Sequence, residues 1–267
     1  MPLLSLFTLT VDCFQCREST ELRGHGESID QLCWDPSNPE LLATASGDRT
    51  VRLWDARAGK QLQSISTSGE NINIAWSPCG RYIAVGNREN SLSFIDTRAM
   101  AGSEAKARVV KRKKFQYEVN EFAWTSNGSY LFISMTTSPD HGSVEVMKFS
   151  DAAGGIDMAE SVASITAHLS NIFCLKFDPT GRLFATGGAD AMVCLWDTEE
   201  LACVRGIDRL ENPVRALSFS GCGRFLASAA EDPFIDIVST VFSIFAGCVP
   251  IFSCELLIII INLFRLM

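Results

Sequence analysis

His25, Asp48 and Trp54 are separated by 23 and 6 residues, and His168, Asp190 and Trp196 by 22 and 6. A histidine beside an aspartate has the makings of a general base, because the carboxylate orients the ring and stabilises the imidazolium. The same residues can instead hold a fold together. A buried imidazole needs partners for both nitrogens, and a buried indole N–H needs an acceptor. Thr44 and Thr186, each four residues before its aspartate, could supply a hydroxyl linking ring and indole. The pattern occurs twice, at matching places in a repeat, which favours the structural role.

Little else points to chemistry. The ten cysteines are scattered, and Cys33, Cys174, Cys194 and Cys203 fall in apolar strand-like runs where a thiol packs as a small hydrophobe. Cys13 and Cys16 are the one close pair, and no second pair lies at a spacing that would complete a zinc site. A reducing compartment is the expectation. No nucleophile motif, Walker loop, dinucleotide fingerprint or paired-histidine metal site is present, and His141 stands alone in a loop. The reading is of a non-enzyme with no catalytic residue, cofactor, metal or small-molecule substrate. Asn127-Gly-Ser129 matches a glycosylation sequon in a turn. The start, MPLLSLFTLTVDCFQC, lacks the basic segment and cleavage site of a signal peptide.

The elements that position these residues repeat. Strand-like runs ending in Trp34, Trp76, Trp124, Phe177 and Phe219 recur at intervals of 42 to 53 residues. Each is followed by a second run (LLATASGD, YIAVGNRE, LFATGGAD, FLASAAED) and, in most units, by a third (VRLWDAR, SLSFIDTR, MVCLWDTE). The runs are β-branched or aromatic, five or six residues long, and bounded by Gly, Pro, Asn, Asp or Ser. No sustained helical periodicity interrupts them. The period and the His–Thr–Asp–Trp pattern resemble WD repeats, the four-stranded blades of a β-propeller. That resemblance implies that His25, Thr44, Asp48 and Trp54, and likewise His168, Thr186, Asp190 and Trp196, form two hydrogen-bonded sets. The expected fold is an all-β WD40 propeller, incomplete as written, with about four complete blades and part of a fifth.

Four stretches narrow the resemblance: RGHGESIDQLCWDPSNPELLATASGDRTVRLWD, GENINIAWSPCGRYIAVGN, YEVNEFAW and RLENPVRALSFSGCGRFLASAAEDPFIDI. In order, they closely resemble the THO complex subunit 3 (Tex1) family. GENINI stands where a Gly-His is usual, and FIDI replaces the usual Trp-Asp strand. The resemblance covers residues 22–238. It implies a seven-bladed, non-enzymatic scaffold subunit of the THO/TREX complex, acting in the nucleus in mRNA processing and export. The implied partners are other THO/TREX subunits, with RNA contact indirect or weak.

The resemblance fails at both ends. Residues 1–21 form an atypical lead, and residues 239–267 a hydrophobic tail. From Ile237 to Cys254 no residue is charged, a length that could span a membrane. The expected alternative is a retained intron or misplaced exon boundary, because the pattern breaks in mid-blade with no linker. On that reading the fifth unit stops after its third strand near Val238, and membrane attachment is not expected.

Two surface features remain. EAKARVVKRKK carries six basic residues in eleven, among them Lys111, Arg112, Lys113 and Lys114. It could be a nuclear-import signal or an RNA patch, against the plainer reading of a lysine-guarded outer strand. No aromatic residues interleave to stack bases, and the net charge of -8 opposes a general affinity for nucleic acid. Leu42 to Arg57 resembles the WDxR box of propellers that serve as substrate receptors of cullin-RING ubiquitin ligases, with Asp48, Trp54, Asp55 and Arg57 as its carriers. Arg57, which could offer a planar fork to an adaptor carboxylate, is its informative residue.

Overall fold

The computed structural model describes residues 8–12, 19–98, 107–138, 141–152, 155–241 and 245–250. All regular elements among them are strands. A hairpin of β1 (Thr8–Asp12) and β2 (Ser19–Arg23) leads into five four-stranded antiparallel sheets. The first holds β3 (Ile29–Trp34), β4 (Leu41–Ser46), β5 (Thr50–Asp55) and β6 (Lys60–Ser66). The second holds β7 (Asn71–Trp76), β8 (Tyr82–Asn87), β9 (Ser91–Asp96) and β10 (Arg108–Lys114). The third holds β11 (Glu118–Trp124), β12 (Tyr130–Ser138), β13 (His141–Ala152) and β14 (Gly155–His168). The fourth holds β15 (Ile172–Phe177), β16 (Leu183–Gly188), β17 (Val193–Asp197) and β18 (Cys203–Ile207). The fifth holds β19 (Ala216–Phe219), β20 (Phe225–Ala229), β21 (Phe234–Ser239) and β22 (Phe245–Pro250). In each, the strands follow one another in chain order across the sheet. These are WD-type propeller blades.

Burial follows strand position. The second strands β4, β8 and β16 are buried along almost their whole length, so they read as continuous apolar runs. The fourth strand β10 alternates exposed and half-buried residues, as expected of one face on a core and one in water. The turns repeat too. The N–H of Gly80 bonds the Ser77 carbonyl at 2.9 Å, and that of Gly223 the Ser220 carbonyl at 2.8 Å. Both glycines sit at φ near +70°, which any Cβ would strain. Arg49, Asn90 and Ala191 hold matching left-handed positions in the next turn of their units.

The chain divides into two units, Met1–Val119 with Ser150–Asp157, and Asn120–Phe149 with Met158–Met267. In the first, Leu53, Val51, Ile74, Trp76, Ile83 and Ile95 form a core between the first two sheets. In the second, Phe132, Leu175, Phe184 and Trp196 form one cluster, and Leu195, Val214, Leu217 and Leu226 another. Leu22, on β2 just after the lead, packs with Leu42 and Trp54.

The fifth unit differs from expectation. It does not stop near Val238: β21 runs to Ser239, and Phe245–Pro250 pairs with it, from Phe234↔Pro250 to Val238↔Phe245. The expected boundary at 238–239 therefore falls inside a strand. The edge of β21 carries unpaired backbone groups, and an adjacent apolar segment without charges satisfies them readily. Among the described residues no helix is long and apolar enough to cross a membrane; residues 251–267 lie outside them.

Candidate functional site

His25 lies in the turn after β2, Thr44 on β4, Asp48 in the following turn and Trp54 on β5. The structure brings all four together. His25 Nδ1 is 2.8 Å from Asp48 Oδ2, and Nε2 is 2.7 Å from Thr44 Oγ1. The Trp54 indole N–H donates to the same Thr44 oxygen at 2.9 Å. Asp48 also accepts from the Gly26 N–H at 3.0 Å and from the N–H and hydroxyl of Thr50 at 3.0 and 2.6 Å. The left-handed Arg49 turns the chain so that Asp48 reaches both. In the fourth sheet His168 Nδ1 lies 3.0 Å from Asp190, Nε2 lies 2.8 Å from Thr186 Oγ1, and Trp196 donates to Thr186 at 3.0 Å. Ala191 takes the place of Arg49.

The electrostatics of the first set are consistent with one arrangement. Burial pushes the His25 ring below its ordinary range, outweighing the hydrogen bond and charge of Asp48. Burial works against ionising Asp48, but the hydrogen bonds from Thr50, Gly26 and His25 prevail and hold its carboxyl well below the usual range. So a neutral ring donates from Nδ1 to a carboxylate, Nε2 accepts from the Thr44 hydroxyl, and Thr44 accepts from Trp54. Every donor is used, and the imidazole side chain has no exposed surface. A ring so engaged has no free nitrogen to offer a substrate.

The other units fill these positions differently. In the second, Thr67, Val85, Glu89 and Ile95 stand where His25, Thr44, Asp48 and Trp54 stand. There Asn71, in GENINI, is buried and donates to the carbonyls of Ser46 and Thr50 in the first sheet, while Thr67 donates to its Oδ1 at 2.8 Å. In the fifth, Leu210, Ser228, Asp232 and Val238 take the four places. Asp232 accepts from the N–H groups of Glu211 and Asn212, both at 3.2 Å. Asp236, in FIDI, is wholly buried and pairs with Arg209 at 2.9 Å. The sequence reading marked both stretches as departures without assigning these contacts; a polar residue inside an apolar strand was the available signal.

The cations of β10 separate by side. Lys111 Nζ donates to the Ile156 carbonyl at 3.1 Å, and Lys113 lies 5.7 Å over the Phe115 ring. Arg112 and Lys114 alternate with them and are exposed. The four predicted residues thus form two rows rather than one patch.

The WD domain, G-beta repeat family matches residues 16–55 and 159–197. Each matched segment contains one complete hydrogen-bonded set. The chain is 45% identical over 219 residues, 82% of its length, to THO complex subunit 3 of Arabidopsis thaliana. The chain carries WD repeats and is similar to THO complex subunit 3 across most of its length. It is also 34% identical over 76% of its length to WD repeat-containing protein AAC3 of Dictyostelium discoideum, and 23% identical over 79% to Protein TEX1 of Saccharomyces cerevisiae. The chain spans 64%, 40% and 50% of these relatives, in that order.

Within this WD-repeat chain the ligase-type box is divided. Trp54 is buried, and Asp48 is taken up by the hydrogen-bonded set. Asp55 Oδ1 accepts the Ala58 N–H at 2.7 Å. Arg57 stands out from the surface, 3.3 Å from Glu40, an exposed pair of the kind that contributes little. Among the described residues no three His, Cys, Asp or Glu are placed to hold a metal ion; Cys13 and Cys16 lie outside them.

Proposed function

We propose that this chain is a non-enzymatic scaffold, a WD-repeat subunit of a THO-type assembly that acts in the nucleus in mRNA processing and export. Its partners are other THO/TREX subunits, met through loops and strand edges, with RNA contact indirect or weak and no cofactor or small-molecule substrate. The observation that carries this reading is the 45% identity across 82% of the chain to a protein named as a THO subunit. The two His–Asp pairs support the non-enzymatic part, because both act as ties inside a repeat. The test is mass spectrometry of the endogenous protein recovered from a nuclear extract. Co-purifying THO subunits are expected. Their absence, with the chain in a membrane fraction and tail peptides such as STVFSIFAGCVPIFSCELLIIIINLFR present, would sink the reading.

A second reading attaches to Arg57, whose exposed guanidinium, paired with the exposed Glu40 side chain, can turn to an adaptor carboxylate while the rest of the box is engaged. Arg57→Ala should abolish co-purification of a cullin adaptor if the chain serves as a ligase receptor; unchanged recovery removes that role.

A further inference from the structure

We propose that the outer edge of β10 binds an acidic peptide in extended conformation, taken up as an added strand. β10 is the outermost strand of its sheet, with β9 on one side and no described strand on the other. The Phe115 N–H bonds the Asn90 carbonyl at 2.8 Å, and Lys113 faces Leu92 in the register. Antiparallel ladders alternate, so the residues between these, Arg112 and Lys114, turn their own N–H and C=O groups outward. Such groups are a template for a further strand.

The side chains on that edge state what the strand should carry. Arg108, Val110, Arg112 and Lys114 are exposed at alternate positions. No described carboxylate pairs with Arg112 or Lys114. Arg108 faces Asp96, whose carboxylate already lies 3.3 Å from Arg81 and 3.1 Å from Arg98. In an added strand, residues directly opposite have Cβ atoms about 5 Å apart. Acidic residues two apart would therefore meet Arg112 and Lys114.

The edge is also held ready. Gln63, on β6, grips Ala107 just before the strand. Its Oε1 accepts the Ala107 N–H at 3.0 Å, and its Nε2 donates to the Ala107 carbonyl at 2.8 Å. Ala107 and Val109 pack into the core of the first unit, and a bulge between Val109 and Lys111 sets the later register. A strand fixed at its start loses little freedom on binding.

A peptide fits better than a nucleic acid. Phosphate polymers respond to the field of the whole molecule, here a net -8. Three cations neutralise few phosphates, and no aromatic lies exposed between them to stack a base. A short acidic strand uses the outward backbone groups as well, which a polynucleotide does not.

The test is fluorescence anisotropy on the full chain with a labelled peptide of about eight residues, a usual strand length, alternating glutamate and threonine. Binding is expected, and the surface double variant Arg112→Ser/Lys114→Ser, checked for an unchanged circular dichroism spectrum, should weaken it at least tenfold. N-methylating alternate residues removes backbone donors but not charge; methylated in the register that faces β10, the peptide should also lose at least tenfold. No binding tighter than about 1 mM, a Kd worth only about 4 kcal/mol, overturns the proposal and leaves β10 a guarded edge. Equal binding of both methylated registers, or of an oligouridylate of equal charge, overturns it in favour of an unspecific anion patch.

Discussion

The side-chain amide of Asn71 donates to the carbonyl oxygen of Ser46 at 3.3 Å, from the second sheet into the first. A second bond runs to the Thr50 carbonyl at 3.2 Å. Neighbouring sheets in this unit thus share a polar tie as well as an apolar core. In the fourth sheet Ile172 occupies the corresponding place and is equally buried. Asn71→Leu keeps the branched shape but strips both carbonyls of a partner, which should cost about 1–3 kcal/mol. Urea denaturation of the two proteins measures it directly. A change under about 0.5 kcal/mol, the range of an ordinary surface substitution, would mean that water replaces the amide without loss.

Thr186→Val is close to isosteric, yet it removes the hydroxyl that serves both His168 and Trp196. Two buried groups lose their partner, so the expected loss is again about 1–3 kcal/mol. The second sheet shows why valine is acceptable elsewhere: Val85 stands at that place, but Ile95 replaces the indole and Thr67 the imidazole. Adding Trp196→Phe to Thr186→Val should cost less than the sum of the two, since the indole N–H has no acceptor left to lose. Strict additivity would show that the threonine is not the shared acceptor.

The first set predicts an acid-side loss of stability. His25 has a folded pKa below its ordinary 6.5, so the unfolded chain binds its proton more readily. Its contribution is complete above pH 6.5 and fades as pH falls through the lowered folded value. The Asp48 contribution behaves alike, complete above 3.8 and lost further into acid. The melting temperature should therefore decline from neutral pH downward, and His25→Gln should flatten the upper part of that decline. A wild-type midpoint that rises on acidification over this range would contradict the buried neutral ring.

Cys222 should be the most reactive of the described thiols. Hydrogen bonds from the Arg224 guanidinium, the Ser220 hydroxyl and the Arg224 backbone, in that order, pull it down to about 6. Burial pushes Cys174 up to about 12. Brief iodoacetamide treatment at neutral pH, read by peptide mass spectrometry, should mark Cys222 well before Cys174. Arg224→Ala should slow the Cys222 reaction; equal rates in both proteins would remove the guanidinium as the cause.

Deleting residues 245–267 would strip β22 from the fifth sheet and expose the edge of β21. The shortened chain should aggregate sooner and show faster amide exchange in Phe234–Ser239. Unchanged exchange there would mean that the pairing contributes nothing to the sheet.

Much of this was legible in the chain itself, for a physical reason. The repeat, the strands and the spacing of His25, Thr44, Asp48 and Trp54 all lie inside one unit of some thirty residues. Turn residues and strand periodicity set such short-range geometry, so residue spacing carries it. What the tertiary structure alone decided are the pairings between segments. Asn71 reads as a polar residue misplaced in a strand until the first sheet is set beside it. Asp236 reads as a break in a Trp-Asp strand until Arg209 is folded over it. Phe245–Pro250 reads as hydrophobic tail, since apolar composition does not distinguish a lipid-seeking segment from one that completes a sheet. Which neighbour satisfies a buried amide, a buried carboxylate or an open strand edge depends on what packing places there, and no local pattern encodes it.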